Sequence, residues 1–194
     1  MTSDYDPLHT TLLMRLLGAL CRVYLTGNEQ LPAGGTVLAV RRSHAEIFKA
    51  VYGQALTERR GFVVPTGRTE GAALVAAGQI RAGRDALVVL SGDSTSDPRL
   101  ADALHLARTA TCGVFPVGIS TAPVLRPGRR QTPARPLPGA RIVVVFEAPF
   151  EVPPQPERIP EAWGSAILNL LDRASGRAAE IEATWRKQGR RPSR

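Results

Sequence analysis

Apolar positions along the chain fall into two rhythms, one of helices and one of strands. In "LHTTLLMRLLGALCRVYL", Leu8, Leu12, Leu16 and Leu20, joined by Leu13 and Leu17, sit three and four residues apart, the spacing of a helix. Its polar face is thin, so residues 1–22 are expected to form an amphipathic helix that lies in a core or a lipid interface. The next segment, "YLTGNEQLPAGGTVLAV", reads as a strand, a turn carrying Pro32, Gly34 and Gly35, and a buried strand. A helix is predicted from Ser43 to about Leu56, a strand at "GFVVP", and a helix at "TEGAALVAAGQIRAG" that stops at Gly83.

The alternation continues. A strand "ALVVL" enters the polar loop "SGDSTSDPR", which is followed by a helix "RLADALHLARTATC" and a strand "GVFPVGI". From Thr121 to Ala140, five prolines and four arginines predict an exposed basic loop, richest in arginine over 126–135. "RIVVVFEAPFEV" reads as a final buried strand, and a helix is expected from about Glu157 to Trp185. Strands alternating with helices imply an α/β fold with a largely parallel mixed sheet flanked by helices. One domain is expected over 1–188, with a frayed basic tail at 189–194. The chain shows no internal repeat.

Composition narrows the classes. With 194 residues and 43% hydrophobic content, the chain is long enough for a full core. Cys21 and Cys112 stand far apart in apolar contexts, which fits a reduced, cytoplasmic chain without a disulfide framework. Those two and three histidines do not have metal-ligand spacing, so no metal site is expected. The opening residues are acidic rather than basic, unlike a cleavable signal peptide, and no apolar run reaches the roughly 20 residues of a membrane span. Net charge is +8, which suits an anionic lipid surface or a phosphorylated substrate. Aromatic content of 5% without basic–aromatic interleaving argues against nucleic acid.

The stretch "VLAVRRSHAEIF" carries the first candidate chemistry. An imidazole in general titrates near neutrality, which makes His44 a candidate proton acceptor. The same residues also fit a helix start, because Ser43 and Glu46 match the capping-box pattern S-x-x-E before an apolar run. Arg68 stands between a predicted strand and a helix, where a guanidinium and free helix amides together grip phosphate. In "SGDSTSDP", Gly92, Asp93, Ser94 and Thr95 sit beyond a strand's carboxyl end, the usual place for α/β ligands. Asp97 before Pro98 supplies a structural alternative there, a helix cap. Arg99 is a weaker basic candidate beside that loop, and His105 falls among apolar helix positions.

In this order, the motifs resemble those of the glycerolipid acyltransferase superfamily, the 1-acylglycerol-3-phosphate (PlsC-type) and lysophospholipid acyltransferases. "LTGNEQLPAGGTVLAV" is similar to the family's entry motif, "GFVVPTGR" to G-x-x-F-x-x-R, and "GVFPVGI" to the strand ending in P-V-G. "SGDSTSDP" stands where the family has F-P-E-G-T-R-S, and both the glutamate and the arginine are missing. The resemblance implies a divergent member that transfers a fatty acyl group from an acyl-CoA or acyl-carrier-protein thioester to a hydroxyl, or an amine, of an acceptor such as a lysophospholipid. It implies no bound cofactor and a peripheral place on the inner face of the cell membrane.

Two alignments of the opening stretch compete. One matches Ser43 and Ile47 to the family motif, placing Arg41 at the histidine and Glu46 at the aspartate. Arginine stays protonated and cannot be a base, so catalysis would be lost. The other makes His44 the base and resembles a bacterial branch in which the standard aspartate is absent. Lys49 stands five residues on, so a carboxylate must come from elsewhere, with Asp93 the first candidate. The second alignment gives catalytic roles to His44 and Asp93, and binding roles to Arg41, Arg68, Gly92, Ser94 and Thr95. The first leaves a degenerate relative that keeps a lipid- or acyl-carrier-binding groove.

Overall fold

The computed structural model describes residues 20–55, 61–63, 70–91, 94–125, 135–153 and 161–188. Six strands, β1 (Arg22–Thr26), β2 (Val37–Arg41), β3 (Phe62–Val63), β4 (Asp85–Leu90), β5 (Val114–Leu125) and β6 (Arg135–Phe146), form one sheet in the order β1-β6-β5-β2-β4-β3. All neighbours pair in parallel except β5 and β6. The helices are α1 (Arg42–Ala55), α2 (Glu70–Arg81), α3 (Pro98–Ala110) and α4 (Glu161–Gln188). The fold is the α/β architecture that the alternating pattern predicts.

Pleat parity sorts the core onto two faces, because successive strand side chains point to opposite sides. Leu38, Val40, Leu87, Ile119, Ile142, Val144 and Phe146 pack with Ile47, Phe48, Val51 and Tyr52 of α1. Their neighbours Val37, Ala39, Ala86, Val88 and Leu90 pack with α2, α3 and the first half of α4. Val143 and Val145 receive Ala174 and Ala178 further along α4. There Gly118 of β5 decides the spacing, since a Cβ on it would lie 2.1 Å from the Ala174 carbonyl carbon. The bare glycine lets the α4 backbone rest on the sheet.

The amino edge of the sheet is tied by polar groups. Asp85, fully buried, accepts from the Thr36 amide at 3.0 Å and from the Tyr52 hydroxyl at 2.6 Å. The Thr36 hydroxyl donates to the Gly113 carbonyl at 2.9 Å, and the Asp85 amide to the Gly61 carbonyl at 3.0 Å. These bonds join the starts of β2, β4 and β5, satisfying polar groups that burial would otherwise penalise.

Local outcomes follow the sequence with three corrections. Gly83 ends α2 as expected, in the left-handed conformation that suits glycine, with φ 86°. Asp97 does cap α3: its carboxylate accepts from the Arg99 amide at 2.9 Å, and Pro98 opens the helix. First, the expected loop over 121–140 is strand at both flanks, since β5 runs to Leu125 and β6 starts at Arg135. Its prolines and arginines masked a β-ladder that long-range pairing stabilises. Secondly, Leu20 and Cys21 are non-helical and Arg22 already belongs to β1, so the expected N-terminal helix does not extend over 20–22. The rest of that segment, like the tail 189–194, lies outside the described residues. Thirdly, α1 already begins at Arg42, so Ser43 is within its first turn, and Glu46 pairs with Lys49 at 3.0 Å. The capping-box geometry is replaced by a direct strand-to-helix junction.

Candidate functional site

The carboxyl edge of β2 and β4 is built differently from the amino edge. Arg41, the last residue of β2, is the register partner of Leu90, the last of β4. β2 turns at once into α1, while β4 leads through Ser91 and Ser94–Asp97 to α3. Ligands of open α/β sheets bind outside such strand ends.

Strand and helix spacing send the two basic candidates to different sides. Arg41 shares its face with Val37 and Ala39, toward α4, and its guanidinium pairs with Asp172. That side chain is 20% exposed, whereas that of Asp172 is 65% exposed. His44 precedes Ile47, Phe48 and Val51 by three, four and seven residues, so it continues the inward stripe of α1. It is half-buried in the first turn of α1, and its Nδ1 lies 3.5 Å from the Ser43 hydroxyl.

The loop after β4 is internally braced. Asp97 Oδ2 accepts from the Ser91 amide at 2.6 Å, while its other oxygen caps α3. The Ser94 and Ser96 hydroxyls lie 2.7 Å apart, and the Thr95 hydroxyl donates to Glu161 Oε1 at 3.1 Å. Of the sequence candidates, Arg41, His44, Ser94 and Thr95 belong to this edge. Arg68, Gly92 and Asp93 lie outside the described residues. His105 is half-buried on α3. Among the described residues, no group of three or more His, Cys, Asp or Glu side chains could hold a metal ion.

Three participants were not visible in the sequence. Asp172 and Glu161 reach the edge from α4, 131 and 66 residues from their partners. No local spacing announces such contacts. Thr121 of β5 carries a buried hydroxyl oxygen without a hydrogen-bond partner among the described residues and shares the parity of Ile119, on the α1 face. Both cysteines are free, and burial pushes the Cys112 thiol up to about 11. At neutral pH it is a packed hydrophobe rather than a nucleophile.

Compared with solved structures, the chain is similar to the 1-acyl-sn-glycerophosphate (LPA) acyltransferase PlsC from Thermotoga maritima, with a TM-score of 0.54. The fold is PlsC-like. The similarity covers 85% of this chain and 78% of that one, at 14% sequence identity. No protein-family model matches the chain, and no curated protein matches it. At that identity the shared property is the fold, and function has to be argued from the site. No helix among the described residues is long and apolar enough to cross a membrane.

Proposed function

We propose that the chain is an acyltransferase that moves a fatty acyl group from an acyl-CoA or acyl-carrier-protein thioester to a hydroxyl, or an amine, of an acceptor such as a lysophospholipid. One observation carries the reading: in a PlsC-like fold, His44 stands in the first turn of the helix that leaves β2 at the carboxyl edge. In the mechanism, neutral His44 takes the acceptor's hydroxyl proton as the oxygen attacks the thioester carbonyl. The tetrahedral intermediate collapses with cleavage of the C–S bond. The thiolate leaves with the electron pair and takes the proton from the imidazolium.

The remaining assignments follow the chemistry of each group. Asp93 orients the imidazole through its second nitrogen, fixing the tautomer. Arg68 grips the acceptor phosphate, and Arg41, held by Asp172, serves binding from the α4 side of the edge. Gly92, Ser94 and Thr95 line the substrate groove beyond β4. No bound cofactor is required. The protein acts in the cytoplasm, peripherally on the inner face of the membrane, where its positive charge meets anionic lipid. The test is transfer from a labelled acyl thioester, CoA- or carrier-linked, to a panel of lysophospholipid and amine acceptors. Labelled product supports the reading, and its absence from every acceptor and both donors counts against it.

A second reading draws on Arg41. In one alignment it occupies the position of the family's histidine, and here its guanidinium is engaged by Asp172. On that reading the chain is a degenerate relative that binds lipid or acyl carrier protein without transfer. Tight carrier or vesicle binding with no product from any donor–acceptor pair would favour it.

A further inference from the structure

The outer face of α2 breaks the usual rule for a surface helix. From Gly71 to Gln79 its sequence is "GAALVAAGQ", without a single charged residue. Ala76, Ala77 and Ile80 bury one side in the core. The opposite side presents Gly71, Leu74, Val75 and Gly78, with Leu74 57% and Val75 54% exposed. Arg81, seven residues beyond Leu74, donates from its guanidinium to the Thr109 carbonyl of α3, and Arg84 follows it, both exposed. A helix apolar on both sides is ordinarily covered.

The geometry limits what covers it. Twelve residues at about 1.5 Å each give a face about 18 Å long. With a helix about 10 Å wide, the face offers on the order of 200 Å². A stable protein partner needs about 800 Å² from each side. Two protruding aliphatic side chains between glycines, with the exposed Arg84 just beyond the carboxyl end of the helix, match instead a shallow contact with an anionic lipid surface, where apolar insertion and charge act together. α2 also has a fitting orientation. Its last residue precedes the start of β4 by a short turn at the amino edge, so its first turn lies toward the carboxyl edge where Arg41 and His44 stand. We infer that the Leu74–Val75 face of α2, with Arg84, is the surface by which this protein docks on anionic bilayers. The choice of a lipid occupant rests on the acyl-transfer reading, but the contact itself does not require transfer.

The test is sedimentation with vesicles of phosphatidylcholine containing phosphatidylglycerol, comparing wild type with the Leu74→Glu/Val75→Glu double variant and with Arg84→Glu. Expected is a loss of at least tenfold in vesicle partitioning for the double variant and a smaller, salt-dependent loss for Arg84→Glu, both with unchanged Tm. Undiminished partitioning of the double variant would overturn the inference. So would a wild-type dimer that the double variant splits, which makes the face a contact with a second copy. A fall in Tm of more than about 5 °C in the double variant would do the same, because the face would then be packed within the chain. Lost transfer with intact docking counts only against the proposed reaction.

Discussion

Arg41 on β2 and Asp172 on α4, 131 residues apart, form an ion pair at the carboxyl edge of the sheet. Asp172 is largely exposed, so the pair adds little to stability, by the usual measure of solvent-screened bridges. Asp172→Ala is expected to change the unfolding free energy by less than about 1 kcal/mol, read from denaturant midpoints at constant m-value. A loss of about 3 kcal/mol or more would make the pair a buried keystone instead.

Gly118 is what brings α4 close enough for that pairing. In Gly118→Ala, the added methyl meets the Ala174 backbone, and neither a β-strand nor a long helix gives way cheaply. Destabilisation of about 3 kcal/mol, the upper range of overpacking, is expected in urea unfolding. An unchanged midpoint would show that α4 stands further from β5.

The amino-edge network makes a separate claim. Tyr52→Phe removes the 2.6 Å bond to Asp85 while keeping the ring in the core. The expected cost is about 1–3 kcal/mol, because a buried carboxylate oxygen loses a donor. An effect below a few tenths would mean that water or another group replaces the hydroxyl.

Cys112 links stability to pH. Burial raises its folded pKa from 9.0 to about 11, so the folded state holds its proton where the unfolded chain releases it. Its contribution is complete below about pH 9 and is lost as pH rises from 9 to about 11. Cys112→Ser is expected to flatten the fall in Tm over that window, and a thiol reagent at pH 8 is expected to label Cys112 more slowly in the folded protein than in the unfolded chain. Rapid labelling of Cys112 in the native protein would contradict the burial argument.

The fold was legible where short-range physics decides. Apolar runs between turn residues and helical stretches placed the four helices and at least part of each strand, and Asp97–Pro98 and Gly83 marked helix ends. It was illegible where a long-range partner overrules composition: Pro123, Pro136 and Pro138 read as loop, yet they lie in β5 and β6. Ser43 and Glu46 misled for the opposite reason. A pattern that is sufficient for a cap was displaced by a strand running directly into the helix. Within the site, His44 and Arg41 could be singled out by residue chemistry, but their separation onto two sides needed the pleat and the helix stripe. Asp172 and Glu161 carry no local signature, since only the packing of α4 brings them there.

The central claim is that His44 acts as the base, and acyl transfer by His44→Ala beside wild type tests it most directly. Removal of a general base is expected to lower the rate about 10²–10⁴-fold, with Tm and vesicle binding unchanged. Product formed by His44→Ala at the wild-type rate would contradict the account.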